Sequence, residues 1–199
     1  MDASGSYSCL VPWPNVELGS VPLTNSKSTG AKRHDGGVVD VLVLTPDDWR
    51  LWRQLRLAAL AEAPAAFGST FAEWSGSGDT EPRWRARLAS VALNLLLTVG
   101  GELVGMVSAT APNAHGEVEL ISLWVAPAGR GRGVGDEAVE QVSAWAHDQH
   151  PGDAVVVLSV KTDNERARAL YERHGFVDVG PSPGVPDKRR MRRHVSASQ

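Results

Sequence analysis

Hydrophobic spacing divides most of the chain into strands and helices from position 38 onward. The run from Val38 to Leu44 is rich in β-branched and apolar residues, which predicts a strand. It is followed by Thr45, a good N-cap, and by a proline and two acidic residues that favour the start of a helix. Apolar residues then recur at helical spacing up to Pro64, and Trp49 and Trp52 among them are expected in the core.

The rest of the chain repeats these two patterns. The predicted elements are a helix from Glu81 through Leu88, strands at 93–99, 103–110 and 118–125, a helix from Val134 to near His150, a strand at 154–160 and a helix between Asn164 and Gly175. Gly100 and Gly101 separate two of the strands and predict a two-residue hairpin. Hairpins combined with a strand buried on both faces at 154–160 predict an α+β domain with a mixed sheet.

The two ends of the chain lack this periodicity. Residues 1–37 are rich in Ser, Gly, Pro and Asn, and we expect them to form a disordered leader. Trp13 and Val16 offer the alternative that the leader docks on the domain or on a partner subunit. We therefore expect one domain at 38–195, with a short tail at 196–199.

Composition narrows the setting of the protein. The chain has 199 residues, of which 42% are hydrophobic and 22% charged, as in soluble globular proteins. Its net charge of −3 gives no reason to expect binding to nucleic acid or to an anionic membrane. With a single cysteine, Cys9, and no apolar stretch near the ~20 residues that span a bilayer, a cytoplasmic monomer or homodimer is expected. With six histidines and one cysteine in no recognisable ligand motif, no metal site is expected.

The stretch 123–135, LWVAPAGRGRGVG, combines a strand, an arginine- and glycine-rich loop and the start of a helix. Such a loop directs backbone N–H groups and the positive end of a helix dipole toward a phosphate. A Walker loop is excluded because Asp136, rather than Lys and Ser or Thr, follows Gly135. A dinucleotide fingerprint fits poorly because the glycines alternate and an aspartate follows them.

A second pattern lies at 158–176, LSVKTDNERARALYERHGF, where a buried strand leads through an asparagine into a helix. The first pattern, with Arg130, Gly133 and Gly135, resembles the acetyl-coenzyme A (acetyl-CoA) loop of the GNAT family of N-acetyltransferases. The second resembles that family's motif of an asparagine, a helical Leu-Tyr pair and a Gly-Phe sequence. The resemblance covers 38–195 and implies the GNAT fold, a mixed sheet with splayed strands flanked by helices.

The resemblance also implies a role for each matching residue. Backbone groups of the strand would pair with the pantetheine arm, the loop would hold the pyrophosphate, the second motif would hold the pantetheine, and a tyrosine would protonate the leaving thiolate. The strand residues are Leu123, Trp124 and Val125, and the loop residues are Arg130, Gly131, Arg132, Gly133, Val134 and Gly135. The second motif contributes Asn164 and Ala167, and the tyrosine is Tyr171.

The base that deprotonates the amine is expected on the strand before the loop. Glu119 has the same offset from the loop as the catalytic glutamate of histone-acetylating relatives, and strand alternation places it on one face with Ile121 and Leu123. Glu117 and an ordered water are the alternatives. His115 is a weaker candidate, and we expect His174 to complement the C-terminus of its helix.

Two further segments are interpreted by their composition. In residues 64–80, Phe67 and Phe71 could form the wall of an acceptor pocket and Glu73 could attract a cationic substrate, or the aromatic residues could simply anchor a loop. The basic run at 187–195, after a loop at 181–186, resembles the last strand of the family. We expect a charged edge strand there, with contact to the 3′-phosphate of coenzyme A or to nucleic acid as alternatives.

These features predict an enzyme that transfers acetyl from acetyl-CoA to a primary amine by direct attack. The acceptor could be a small amine, a protein lysine or a protein N-terminus. No covalent enzyme intermediate is expected, because Cys9 lies outside both motifs. The alternatives are a non-catalytic acyl-CoA-binding regulatory module and, from the basic run alone, a nucleic-acid-binding module.

Overall fold

The computed structural model describes residues 32–34 and 37–195. Within these residues the strands are β1 (Lys32–His34), β2 (Gly37–Val43), β3 (Leu93–Val99), β4 (Glu102–Ala109), β5 (Glu117–Val125), β6 (Ala154–Lys161), β7 (Val177–Ser182) and β8 (Val185–Val195). The helices are α1 (Trp49–Glu62), α2 (Phe71–Trp74), α3 (Glu81–Ala89), α4 (Val134–Gln149) and α5 (Glu165–Arg173).

All of the described strands join one mixed sheet in the order β1-β2-β3-β4-β5-β6-β8-β7. Strands β1 to β5 form an antiparallel meander, β5 and β6 pair in parallel, and β6, β8 and β7 are antiparallel. Gly100 and Gly101 have φ values of 61° and 83°, which a type I′ turn requires at both positions. The predicted hairpin and the α+β class with a mixed sheet are both confirmed.

The two faces of the sheet carry separate hydrophobic clusters. Helix α4 covers one face and buries Ala138, Val139 and Val142 against the strands. Helices α1 and α3 cover the other face, where Trp52 and Trp84 are fully buried. The prediction that the tryptophans of the first helix belong to the core is therefore confirmed for Trp52.

The first helix begins slightly later than the sequence predicts. Residues 46–48 form a single 3₁₀ turn, and the α-helix follows from Trp49. The Asp48 carboxylate accepts a hydrogen bond from the Thr45 backbone N–H at 2.8 Å, so one of the two acidic residues caps the turn. Strand β2 and this helix therefore meet where the Thr-Pro-Asp-Asp sequence predicts.

The N-terminal stretch differs in one detail from the expected leader. Strand β1, at Lys32–His34, pairs with β2, so strand pairing begins before Val38. The remainder of the expected leader, including Cys9, Trp13 and Val16, lies outside the described residues, as does the tail at 196–199.

The prediction for the C-terminal end is wrong in two respects. Residues 181–186 are not a loop, because β7 and β8 form a hairpin that leaves only two residues between them, one of them Gly184 with φ of 71°. Strand β8 is also not an edge strand, since it lies between β6 and β7. Its Met191 is fully buried, and its Arg189 binds Asp178 on β7 at 2.8 Å. The basic run therefore belongs to an interior strand of the sheet, which pairs with a strand on each side.

Candidate active site

The parallel strands β5 and β6 separate soon after they meet. They pair at Glu117–Glu119 with Val155–Val157, yet β5 continues to Val125 and β6 to Lys161. Beyond the last pair, the described strands leave the facing backbone groups of β5 without a strand partner. Such an open edge can pair with an extended, amide-containing ligand as an added strand would.

A bulge at Ser122 changes which side chains face this opening. Ser122 has φ of 59°, and the register with β4 shifts at this point. Leu120 and Leu123, which an ideal strand would place on opposite faces, pack against the same hydrophobic cluster. The expectation that Glu119 and Leu123 share one face is therefore wrong, because the extra residue reverses the alternation between them.

The glycine loop borders the larger of two adjoining cavities, with a volume of about 500 Å³. Gly131 and Gly133 have φ values of 74° and 77°, a left-handed conformation that side chains other than glycine rarely adopt. Gly133 is the N-cap of α4, so the helix dipole and the first N–H groups of the helix point toward this cavity. Gly135 packs closely, since a Cβ there would lie 3.1 Å from Leu170. This geometry suits a phosphate group.

Most of the predicted cofactor residues line this larger cavity. They are Leu123, Trp124, Val125, Arg130, Gly131, Gly133, Val134, Gly135, Asn164, Ala167 and Tyr171. The exception is Arg132, which is not part of the lining. The structure thus brings together two motifs that are separated by about thirty residues in the sequence, because α4 and β6 return the chain to the same end of the sheet.

The predicted phosphate-binding arginine is held in place by a residue that the sequence did not single out. Arg130 binds Glu62 at the end of α1 at 2.5 Å, and its Nε donates to the Val125 carbonyl at 3.1 Å. Glu62 also accepts a hydrogen bond from the Trp124 indole at 2.7 Å. About a third of each charged side chain in this pair is exposed, so the pair contributes roughly 0–1 kcal/mol. An incoming phosphate can therefore compete for Arg130.

A second cavity of about 230 Å³ adjoins the first. Both are lined by Phe67, Leu123, Asn164, Ala167 and Tyr171, together with Ala66. Glu119 lines only the smaller cavity and not the larger one. A molecule that spans the junction would therefore have the glycine loop on one side and a carboxylate on the other.

Tyr171 lies at this junction in an apolar environment. Only 7% of the surface of Tyr171 is exposed, and the centre of its ring lies 5.7 Å from the centre of the Phe176 ring. Burial raises the pKa of the phenol above its ordinary value. The hydroxyl is therefore protonated at neutral pH and can donate a proton or a hydrogen bond.

Asn164 organises the second motif locally. Its side-chain oxygen accepts a hydrogen bond from the Ala167 N–H at 3.1 Å and so caps α5. This bond uses the oxygen and fixes the direction of the amide group at the wall shared by the two cavities. The amide NH₂ supplies the donors that a ligand carbonyl would need.

Residues 52–176 match the acetyltransferase (GNAT) family. The chain belongs to this family. The N-alpha-acetyltransferase RimI of Mycobacterium tuberculosis is 37% identical over 83 residues, which cover 41% of this chain and 49% of that protein. The curated relatives are matched over only 17% to 63% of their own length.

Solved GNAT structures share the fold at low identity. The putative acetyltransferase yncA of Salmonella typhimurium, solved with acetyl-CoA, has a TM-score of 0.62 and 18% identity, covering 86% of this chain and 97% of that one. The spermidine N-acetyltransferase of Vibrio cholerae, in complex with CoA and spermine, has a TM-score of 0.62 and 19% identity, covering 79% and 95%. The GNAT fold implied by the two sequence motifs is thus confirmed.

Among the carboxylates of β5, the geometry separates Glu119 from Glu117. Glu117 is bound by Arg190 at 3.2 Å and by the Asn113 amide at 3.1 Å, and it lines neither cavity. Glu119 lines the smaller cavity together with Tyr171. His115 is exposed in the turn before β5 and lines neither cavity.

His174 follows the last residue of α5 and also contacts the next helix in space. Its Nε2 lies 3.0 Å from Asp136 in the first turn of α4, and Arg173 binds the same carboxylate at 2.9 Å. Burial alone would raise the pKa of Asp136, but hydrogen bonds from Arg173 and His174 outweigh burial and lower it. The acidic charge near the GNAT glycine loop is thus compensated by α5.

Only one of the three residues predicted to bind the acceptor lines either cavity. Phe67 lines both cavities, whereas Phe71 and Glu73 line neither. Thr70 and Glu73 form a capping box, in which the Thr70 N–H donates to the Glu73 carboxylate at 2.8 Å. Glu73 therefore stabilises the start of α2.

The described residues lack two features of other functional classes. No group of three or more His, Cys, Asp or Glu side chains in residues 32–34 and 37–195 is placed to hold a metal ion. No helix in the same part of the chain is long and apolar enough to cross a membrane.

Proposed function

We propose that this chain transfers the acetyl group of acetyl-CoA to a primary amine by direct attack, without a covalent enzyme intermediate. One observation carries the proposal: two cavities meet at Tyr171, one bordered by the glycine loop and the other by Glu119. A GNAT reaction needs a phosphate-binding side, an amine side and a proton donor between them, and this arrangement supports an assignment for each of the three.

On the cofactor side, the pyrophosphate would bind the loop from Arg130 to Gly135. The N-terminus of α4 contributes N–H donors and a favourable dipole. Arg130 would release the Glu62 carboxylate and bind the phosphate in its place. The pantetheine amides would pair with the free edge of β5 and with Asn164. Structures of GNAT relatives with acetyl-CoA or CoA bound support this cofactor.

On the acceptor side, the amine must first lose a proton, because a lysine-type ammonium has a reference pKa near ~10.4. Glu119 would accept that proton directly or through a water molecule. The nitrogen then attacks the thioester carbonyl, and a backbone N–H of β5 stabilises the oxyanion. As the carbon–sulfur bond breaks, Tyr171 donates its proton to the thiolate. The attacking nitrogen loses its second proton to solvent as the amide forms, and the tyrosinate takes up a proton from solvent in turn. The products are an N-acetylated amine and coenzyme A.

Tests of acetyl-CoA binding and of thiol release check this proposal. The heat of acetyl-CoA binding would be measured first, followed by thiol release with a panel of small amines, lysine-containing proteins and peptides with free N-termini. Micromolar binding with release for one acceptor class is the expected result. Binding without release from any acceptor would favour the non-catalytic acyl-CoA-binding module, and absence of binding would refute the assignment of the glycine loop.

A further inference from the structure

The smaller cavity is cationic rather than acidic. Its lining includes Arg56, Lys161 and Lys188, against the single carboxylate of Glu119. Lys161 is paired with Asp187 at 2.9 Å. An acidic groove would have favoured a cationic acceptor such as a polyamine or a basic protein segment. This basic lining favours an acceptor that carries a negatively charged group.

Arg56 is the unusual residue of this lining. It lies on α1, only 8% of its surface is exposed, and its guanidinium stacks 4.4 Å from the centre of the Phe67 ring. Its Nη1 atom is buried without a hydrogen-bond partner among the described residues. A buried charged donor without a partner is costly, so the Nη1 atom of Arg56 calls for a partner that completes it, and a ligand in the cavity can be that partner.

A second arginine lies beside Arg56. Arg87 on α3 binds only neutral oxygens, those of Asn94 at 3.2 Å and of Ser108 and Ser122 at 3.4 Å. Neither guanidinium forms an ion pair with a carboxylate in the part of the chain that the structure describes. Burial and the nearby Arg87 lower the pKa of Arg56 to about 10, so the guanidinium is still charged at neutral pH.

We propose that Arg56 binds a carboxylate of the acceptor and thereby selects an amine that carries one. The proposal rests on the proposed acetyl transfer and names the substrate class of the same site. The acceptor's amine would lie toward Glu119 and Tyr171, and its carboxylate would bind the guanidinium of Arg56. A cavity of about 230 Å³ accommodates a group of amino-acid size. Polyamines would be rejected because their additional positive charges face Arg56 and Lys188.

Matched acceptors test this selection directly. Thiol release would be compared for free amino acids and their amides, and for peptides with amidated C-termini carrying Asp or Asn at the second position. The two arms distinguish a free amino acid from an acidic N-terminal segment as the source of the carboxylate. The wild-type protein is expected to prefer the acid by about 100-fold in kcat/KM in the arm that supplies the carboxylate of its acceptor, and to show little preference in the other arm. Replacing the carboxylate by the amide makes the amine easier to deprotonate, so this preference would arise against intrinsic reactivity.

The variant Arg56→Met keeps most of the packing on Phe67 and removes the charge. It is expected to abolish the preference for the acid while leaving acetyl-CoA affinity unchanged, because Arg56 does not line the larger cavity. Arg56→Lys should restore part of the preference. The matched control is Arg50→Met, on the same helix with its guanidinium stacked on Trp49 and away from both cavities. This control should retain the full preference.

A binding measurement separates this proposal from the proposed function. Calorimetry of glutamate and glutamine α-amide added to the complex with coenzyme A requires no turnover. Binding of the acid that Arg56→Met abolishes supports the carboxylate site even if no acceptor releases thiol. Acetylation of amides or spermidine at least as efficient as that of the acids overturns the carboxylate site and leaves acetyl transfer intact. Equal discrimination by wild type and Arg56→Met also overturns it.

Discussion

Substitution of Gly131 by alanine tests whether the glycine loop binds phosphate. Gly131 has φ of 74°, and a Cβ built there meets no atom within 4 Å, so the variant creates no clash inside the protein. The conformational cost of alanine in the left-handed region is roughly 1–2 kcal/mol. The added methyl group would also lie in the lining of the larger cavity. We expect it to disturb one backbone hydrogen bond to phosphate.

The matched control for this variant is Gly116→Ala. Gly116 has φ of 73° and equally open surroundings, but it lies in the turn before β5 and lines neither cavity. Urea unfolding should show a similar loss of stability in both variants, on the order of 1–2 kcal/mol. Calorimetry should show at least about tenfold weaker acetyl-CoA binding in Gly131→Ala alone, since a hydrogen bond to a charged group contributes about 1.5–3 kcal/mol. Equal affinities for acetyl-CoA in the two variants would refute the assignment of Gly131 to the phosphate site.

Three further variants follow from the described contacts. A hydrogen bond from Arg53 lowers the pKa of Asp79 to about 2, so its stabilising effect should be complete above about pH 4 and lost as the pH falls through about 2. The unfolding midpoint of Asp79→Asn should therefore lie below that of wild type at about pH 6, and the two midpoints should converge near about pH 2. A difference between the midpoints that does not change with pH would contradict this. Gly129→Ala would place a Cβ 2.8 Å from a side chain of β4. This clash should lower the free energy of unfolding by about 1–3 kcal/mol. An unchanged urea midpoint would show that the loop can shift freely. Glu119→Gln should reduce kcat by about 100-fold at neutral pH and Glu117→Gln should not; equal losses would remove Glu119 as the base.

The sequence predicts the parts of the fold that depend on local pattern. The hairpin at Gly100 and Gly101 needs only its two glycines and the alternating residues on either side. The glycine loop and the Asn164 cap are likewise local, because each depends on a few adjacent residues at a helix start. These elements could be located from residue type and spacing alone.

Other features depend on residues that are distant in the chain. The pair of Glu62 with Arg130 joins positions 68 residues apart, and no spacing rule indicates it. Arg56 lies beside an apolar stripe of α1 that the sequence assigns to the core, and only the folded structure shows that it lines a cavity. The bulge at Ser122 adds one residue to a strand whose sequence reads as continuous, so the alternation predicted for Glu119 fails beyond it.

The central claim is that Tyr171 donates the proton to the leaving thiolate at the junction of the two cavities. The direct measurement is kcat for thiol release by Tyr171→Phe, with acetyl-CoA affinity measured by calorimetry on the same preparation. The account predicts an unchanged affinity and a fall in kcat of about 10²-fold or more, because the ring and its packing on Phe176 are retained while the proton donor is lost. Turnover at the wild-type rate with unchanged affinity would contradict the claim.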